Sequence, residues 1–271
     1  MGRFKGMLIC TDLDGTLIKN DKTISNENIK AIEFFKSKGG KFSFITGRMP
    51  FFVSDIYNAV NPNAPIGCIN GGGVYDCFAQ KYIWKKEMPR SVLELIKYVD
   101  EKFHDVGIQV NTFYKTYFCK ENNAMEDFRK ITGLPNLIGN YNFIEEPIAK
   151  IVFVTDNEDT ILLLEKELKN HPLADNFDFI RAEKTLYEIL PKGITKGTAL
   201  TKLAEYLKID INKTIVIGDY YNDISMFNAA GISFAVSNAC NEALEVADYI
   251  TVSNEENAIA KVIYDLYYEK Y

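Results

Sequence analysis

Two strand–helix–strand patterns, one towards each end of the chain, constrain the fold more than any other feature of the sequence. In the first, residues 7–11 form an apolar run and residues 41–46 alternate in polarity, so both segments are predicted strands. The apolar spacing between them predicts a helix, with Ser25 as its N-cap and Gly39 in its stop signal. Because strands joined through a helix pair in parallel, this segment predicts part of a parallel sheet.

The second pattern lies in the C-terminal part of the chain. It predicts a helix at 195–207, a strand at 214–217, a helix at 222–230 and a strand at 232–236. Parallel strands with helices on their faces form Rossmann-like α/β folds. We therefore predict an α/β core whose parallel sheet is built from both ends of the chain.

The middle of the chain has a different pattern. Strands are predicted at 81–86, 108–113, 116–120, 150–155 and 177–182, and helices at 91–104 and 158–169. This mixture is typical of a separate α+β unit, which we place as an inserted cap domain at 84–187. The core is then discontinuous and consists of residues 1–83 and 188–271.

The composition excludes several classes of protein. The 271 residues are 47% hydrophobic and 25% charged, as expected for a folded globular chain. A formal net charge of -6 disfavours general binding to nucleic acid or to an anionic membrane. No apolar run is long enough for a membrane span or a signal peptide, and the five scattered cysteines form no C-x-x-C pair. We therefore expect a cytoplasmic protein with reduced thiols.

The segment Asp12-Leu13-Asp14-Gly15-Thr16 follows the first predicted strand directly. Side chains at i and i+2 of an extended chain lie on one side, so Asp12 and Asp14 can address one ligand. The same residues also occur in plain turns and in calcium-binding loops. A calcium loop would need a distal glutamate where this chain has Asp21, which leaves a plain turn as the main alternative.

Three further segments fall at the ends of predicted parallel strands or at a helix start after one, where open α/β sheets bind ligands. Thr46-Gly47 offers a hydroxyl and an accessible N–H to a phosphoryl oxygen, and Lys196 opens a helix, where an anion is favoured. Asp219, Asn222 and Asp223 follow a buried strand. Taken singly, these segments have ordinary alternatives, namely a strand-to-helix turn, a surface lysine and a helix cap.

Taken together, the segments resemble the four motifs of the haloacid dehalogenase-like phosphatases, specifically the Cof-type branch, which has a large cap inserted after the second motif. The matching segments occur in the order of that family, at 12–17, 46–48, 191–197 and 218–223. Residues 235–251 are also similar to the C-terminal run of this branch. They depart from it at Val236-Ser237, where a Met-Gly pair is frequent.

The resemblance implies a phosphatase that forms a phospho-aspartyl intermediate on Asp12, with Asp14 as the acid and base. It implies Mg²⁺ on Asp12, the backbone carbonyl of Asp14 and Asp219, with Asp223 supporting the waters of the metal. The phosphoryl oxygens would be held by a set of hydrogen-bond donors: Leu13, Thr46, Gly47, Lys196 and Asn222.

Elementary chemistry agrees with these roles. The two histidines, His104 and His171, both lie in the predicted insert, so carboxylates rather than histidines must act at the strand ends. Two carboxylates about 4 Å apart repel by about 4 kcal/mol at an effective dielectric of about 20, and an incoming phosphate adds to this repulsion. A cation is therefore needed, and oxygen ligands favour Mg²⁺.

Two other functions share these motifs. A phosphomutase of a hexose phosphate would transfer the phosphoryl group from the aspartate to a sugar hydroxyl instead of water. A catalytically idle binding protein would use the same fold, although the complete carboxylate set argues against it. For the phosphatase, we expect small phosphorylated metabolites such as sugar phosphates as substrates, with the insert selecting the leaving group.

Overall fold

The computed structural model describes residues 2–132 and 136–270, and the chain divides into two compact units. The core unit comprises Met1–Lys85 and Thr195–Tyr271, and the insert unit comprises Lys86–Ile194. The sequence placed the insert at 84–187. The C-terminal end of that range falls inside a strand, Leu186–Pro191, whose pairing with two neighbouring strands places it in the insert unit.

The first part of the core unit contains strands and helices as follows: β1 (Leu8–Thr11), α1 (Asn26–Ser37), β2 (Lys41–Phe44), α2 (Ser54–Val60), β3 (Ile66–Cys68), β4 (Gly73–Asp76) and β5 (Lys81–Lys85). Helix α1 begins where the sequence predicts it, because the Ser25 side chain accepts a hydrogen bond from the Asn28 N–H. Ile32 and Phe35 of this helix are fully buried in the apolar core beside the sheet.

The insert unit contains the next elements: α3 (Val92–Lys102), β6 (Gly107–Thr112), β7 (Thr116–Lys120), α4 (Asn123–Thr132), β8 (Ile148–Val154), α5 (Glu158–Lys169), β9 (Phe177–Glu183) and β10 (Leu186–Pro191). Its five strands form one antiparallel sheet in the order β7-β6-β8-β10-β9. Sequence analysis missed α4 and β10. Strand β10 carries Glu188 in its middle and ends at Pro191, and both features weaken a strand pattern.

The chain then returns to the core unit with α6 (Lys196–Leu207), β11 (Thr214–Gly218), α7 (Ile224–Phe227), β12 (Ile232–Val236), α8 (Asn241–Val246), β13 (Tyr249–Thr251) and α9 (Ala258–Tyr267). Helix α7 is shorter than the predicted helix at 222–230. A single turn of 3₁₀-helix, Tyr221–Asp223, precedes it.

The core sheet is parallel throughout, in the order β13-β12-β11-β1-β2. The last residue of β1, Thr11, lies opposite Ile217 of β11 and Phe44 of β2. The carboxyl ends of these three strands therefore meet at one edge of the sheet, and this confirms the predicted α/β fold with a parallel-sheet core. Strands β3, β4 and β5 form a separate antiparallel sheet. Across residues 2–132 and 136–270, no helix has the length and apolar character needed to cross a membrane.

Candidate active site

The turn after β1 supplies the first two carboxylates. The Asp12 N–H donates to the Ile217 carbonyl at 2.8 Å, and the Asp12 residue is only 7% exposed. Leu13 is fully buried in the apolar core. The Asp14 side chain is 46% exposed, so the two aspartates of the motif have very different environments. Gly15 follows with a φ of +78°, a conformation that favours glycine.

Arg48, in the loop after β2, orients the Asp14 carboxylate. Its Nε donates to Asp14 Oδ2 at 3.0 Å and its Nη2 donates to Oδ1 at 2.6 Å. Such a two-pronged pair fixes the carboxylate in direction as well as in place. Sequence analysis assigned no role to Arg48, although the residue stands next to Thr46-Gly47 at the end of the strand beside β1.

The loop after β11 supplies two more carboxylates. Asp223 is fully buried, and its Oδ2 accepts hydrogen bonds from the N–H groups of Asp219 and Tyr220 at 2.9 and 3.0 Å. A Cβ on Gly218 would lie 2.6 Å from Asp223 Cγ, so a larger residue there would displace this buried carboxylate. The Thr16 hydroxyl donates to Asp219 Oδ1 at 2.7 Å and thereby joins the loops after β1 and β11. Sequence analysis quoted Thr16 within the first motif but gave it no role.

Lys196 lies among these carboxylates. It is the first residue of α6, whose N-cap is Thr195, and its side chain is 1% exposed. The Lys196 Nζ lies 2.6 Å from Asp12 Oδ1 and 2.6 Å from Asp223 Oδ1. The structure therefore joins three of the predicted site residues in one buried ionic group.

The charges of this group are strongly coupled. Burial raises the pKa of Asp12 well above its usual value, Lys196 opposes that effect, and the nearby Asp223 and Asp219 add to it. Burial and the Asp223 charge raise the pKa of Asp219 to about 6. Burial alone would lower the pKa of Lys196, but the charges of Asp12 and Asp223 raise it on balance. When all four groups are ionised, one ammonium faces three carboxylates, so the group carries excess negative charge.

Three carboxylates of the group are close enough to share a cation. One oxygen each from Asp12, Asp219 and Asp223 lies within 4.8 Å of the others. The sequence predicts that Asp223 supports the waters of the metal and that Asp14 contributes its backbone carbonyl. The Asp14 side chain, which is held by Arg48, lies outside the group of three. Carboxylate oxygens are the ligands that hard divalent cations prefer, so these residues fit such an ion.

The remaining predicted residues, Thr46, Gly47 and Asn222, lie next to Asn70 in the core unit. Thr46 is 2% exposed, and its Oγ1 accepts from the Arg48 N–H at 3.2 Å. A Cβ on Gly47 would lie 2.9 Å from Asn70 Oδ1, and Asn222 Nδ2 donates to the same Asn70 oxygen at 3.0 Å. Asn222 Oδ1 is buried and has no hydrogen-bond partner within the described part of the chain. The segments at 46–48 and 218–223 therefore meet at the Asn70 side chain.

Comparisons with known proteins identify the family of the chain. The family model for haloacid dehalogenase-like hydrolases matches residues 9–263. The 5-amino-6-(5-phospho-D-ribitylamino)uracil phosphatase YwtE of Bacillus subtilis is 30% identical over 282 residues, covering 94% of this chain and 96% of that protein. The phosphatase YitU of the same organism, described with the same substrate, is 26% identical over 265 residues, covering 96% and 97%.

A solved structure has a closely similar fold. The crystal structure of a haloacid dehalogenase-like hydrolase from Bacteroides thetaiotaomicron superposes with a TM-score of 0.87 at 26% identity, covering 96% of this chain and 99% of that one. The resemblance inferred from the four sequence motifs is confirmed by the family match.

Proposed function

The chain belongs to the haloacid dehalogenase-like hydrolases, and from that membership we propose that it is a Mg²⁺-dependent phosphatase of small phosphorylated metabolites that works through a phospho-aspartyl intermediate on Asp12. The observation that carries the proposal is the buried ionic group, in which Lys196 lies between Asp12 and Asp223 at 2.6 Å from each. A nucleophilic carboxylate needs a fixed orientation, and the lysine provides it while presenting positive charge to an incoming phosphate.

The excess negative charge of this group supports the metal requirement. Three carboxylates would repel a phosphate dianion, and one ammonium does not compensate for them. Mg²⁺ would be held by Asp12 and Asp219 together with the Asp14 carbonyl, and Asp223 would support its waters. When bound, Mg²⁺ supplies a countercharge to the carboxylates and the phosphoryl oxygens.

The residues of the chain then account for both halves of the reaction. An Asp12 oxygen attacks phosphorus, the bond from phosphorus to the ester oxygen breaks, and Asp14 gives its proton to that oxygen. In the second half, Asp14 takes a proton from water, whose oxygen attacks phosphorus. The bond from phosphorus to Asp12 breaks, so phosphate leaves and the carboxylate is restored. Leu13, Thr46, Gly47, Lys196 and Asn222 would hold the phosphoryl oxygens through their donors.

The names of the relatives support the substrate class. YwtE and YitU are phosphatases of a phosphorylated ribitylamino-uracil, a small metabolite with a polyol chain. We extend only the general class, a small phosphate ester, to this chain. The net charge of -6 supports a small-molecule substrate rather than nucleic acid, and we place the enzyme in the cytoplasm.

Hydrolysis of an aryl phosphate tests the proposal. We expect phosphate release that needs Mg²⁺, stops with excess chelator and returns when Mg²⁺ is added back. Hydroxylamine added during turnover should convert the acyl phosphate into a hydroxamate at Asp12, detectable by peptide mass spectrometry.

A matched pair of lysine variants tests the role of Lys196. Lys196→Ala should lose turnover and inhibition by inorganic phosphate. Lys202→Ala, at a half-buried position of the same helix where the lysine pairs with Glu205, should lose neither. Full activity in excess chelator would contradict the metal requirement, and unchanged phosphate inhibition in Lys196→Ala would remove that residue from the site.

A further inference from the structure

The turn Ile69–Gly71, which joins β3 to β4, lies outside the four motifs and has an unusual backbone. Its three residues have positive φ angles in succession: +58° at Ile69, +51° at Asn70 and +102° at Gly71. A positive φ is uncommon for residues other than glycine, and it is an outlier for a β-branched residue such as isoleucine. Such strain persists only where the surrounding structure imposes it, and it is concentrated at functional sites.

The backbone of the turn is bonded to the segment that follows β2. The Ile69 N–H donates to the Arg48 carbonyl at 3.0 Å, and the Asn70 N–H donates to the Thr46 carbonyl at 3.1 Å. The turn is therefore fixed against the loop that contains the proposed phosphate ligands Thr46 and Gly47.

The Asn70 side chain reaches the loop after β11. Asn70 is 6% exposed, and its Oδ1 accepts from Asn222 Nδ2 at 3.0 Å. The same oxygen would lie 2.9 Å from a Cβ on Gly47, so the amide occupies the space between the two loops. An amide NH₂ group has two N–H donors, and a bond from one of them to Asn70 fixes the direction of the other.

The last residue of the turn lies against the start of α6. A Cβ on Gly71 would lie 1.8 Å from the carbonyl oxygen of Thr195, the N-cap residue that precedes Lys196. No larger residue fits without moving one of these backbones. The turn thus contacts three segments, those of Thr46, Asn222 and Thr195, which together with Asp12 and Asp14 make up the proposed site.

We propose that the left-handed turn Ile69–Gly71 sets the relative positions of these three segments, and that Asn70 is a positioning residue that orients Asn222 and Gly47 towards the phosphoryl oxygens. The proposal rests on the proposed function for the identity of the ligand. It accounts for the positive φ of Ile69, because this backbone directs the Asn70 amide between the loops while bringing Gly71 against Thr195.

Replacement of Asn70 by glycine tests the proposal with little added strain, because glycine accepts a positive φ readily. The matched control is Asn61→Gly, since Asn61 has a φ of +47° at the end of α2 and is exposed. Asn70→Gly should lower kcat/KM for an aryl phosphate by roughly 10- to 100-fold, the scale known for groups that orient metal-ligating side chains. It should also weaken the binding of inorganic phosphate, measured by calorimetry with Mg²⁺ present. Asn61→Gly should change neither quantity, and urea unfolding should show that both variants are fully folded under the assay conditions.

A double-mutant cycle separates positioning from a general structural role. If Asn70 acts in part through Asn222, the variant with both Asn70→Gly and Asn222→Ala should lose less phosphate affinity than the product of the two single losses, and any loss beyond that of Asn222→Ala alone belongs to the effect of Asn70 on Gly47. Losses that multiply in the double variant, or wild-type phosphate binding in Asn70→Gly, would overturn the role of Asn70.

Phosphate binding also distinguishes this proposal from the proposed function. A wild-type protein that binds inorganic phosphate but hydrolyses no ester contradicts the phosphatase, while the cycle still decides the role of Asn70. A wild-type protein that binds no phosphate contradicts both.

Discussion

Both units of the chain bury a lysine, and the two lysines have different surroundings. In the insert unit, Lys150 Nζ on β8 lies 2.7 Å from Glu188 Oε1 on the neighbouring β10, and the two residues are 8% and 6% exposed. In the core unit, Lys196 lies at 2.6 Å from both Asp12 and Asp223, and Asp219 adds a third carboxylate to the group.

We interpret the difference as one between a structural ion pair and a group that we propose acts in catalysis. Opposite charges that face each other, as Lys150 and Glu188 do, offset part of the cost of burying both. The group around Lys196 retains excess negative charge, and burial raises the pKa of Asp12 and Asp219. An arrangement with this cost is expected where a ligand completes the charge balance. The two units should therefore respond in opposite ways to neutralisation of a buried carboxylate.

Neutralisation of Asp12 should have the largest effect, and the effect should be on catalysis. Asp12→Asn should abolish turnover of an aryl phosphate, on the order of 10⁴-fold or more, because a neutral amide is a poor nucleophile. The free energy of unfolding should not fall, since burial already disfavours the charged form of Asp12. Phosphate release and urea unfolding measure the two quantities. A variant that keeps most of its activity would show that Asp12 is not the nucleophile.

Neutralisation of Glu188 should have the opposite outcome. Glu188→Gln leaves the buried Lys150 with a neutral amide in place of its carboxylate partner, so the free energy of unfolding should fall by about 3–5 kcal/mol. Turnover of the aryl phosphate by the folded protein should persist. The control replaces both partners, Lys150→Met with Glu188→Leu, and should recover most of the stability. If Glu188→Gln unfolds no more easily than the wild type, the pair is not structural.

Asp14 provides an intermediate case within the core unit, because its carboxylate belongs to the catalytic proposal but is 46% exposed. Asp14→Asn should slow turnover by roughly 100-fold, the usual scale for loss of a positioned acid and base. Its unfolding free energy should change by less than about 1 kcal/mol, because the ion pair with Arg48 is partly exposed. Asp21→Asn, another exposed aspartate of the same connection, is the control and should leave turnover unchanged. Equal losses in the two variants would remove Asp14 from the acid and base role.

Sequence reasoning predicted the candidate site residues whose signals are local. Asp12, Lys196 and Asp219 each stand at a strand end or a helix start, and these positions can be recognised from polarity patterns alone. The parallel sheet was predictable for the same reason, because each of its strand–helix–strand patterns lies within one stretch of chain.

The parts that sequence reasoning missed depend on contacts between distant segments. Strand β10 was not recognised because Glu188 interrupts its apolar pattern, and the partner of Glu188 lies on a different strand. The pairing of Arg48 with Asp14 depends on the adjacency of β1 and β2. The role of Asn70 depends on a positive φ at Ile69, which the intrinsic preference of isoleucine opposes.

The smallest expected effect is on the pH dependence of stability in the absence of metal. Because the pKa of Asp219 is raised to about 6, folding favours its protonated form. Its contribution is therefore fully present below the pKa of an unfolded aspartate and is lost as the pH rises through about 6. In the insert unit, hydrogen bonds from Lys130, Tyr117 and Lys102 lower the pKa values of their carboxylate partners, which are Glu126, Glu146 and Glu167. The contributions of these glutamates have the opposite sign and are lost on acidification.

As the pH rises, Asp219 and the three glutamates of the insert unit change the stability in opposite directions. The pH profile of the wild type alone therefore does not isolate Asp219, and a comparison with Asp219→Asn is needed. With chelator present, the wild type should lose stability relative to this variant by on the order of 2 kcal/mol between about pH 4 and about pH 7. Urea unfolding at stepped pH measures the difference. With saturating Mg²⁺ the loss should disappear, because a bound cation favours the ionised carboxylates and stabilises the folded state that binds it. Parallel stability profiles of the two proteins in chelator would show that burial does not disfavour the ionised form of Asp219. The contrast between the two units would then rest on Asp12 and Asp223.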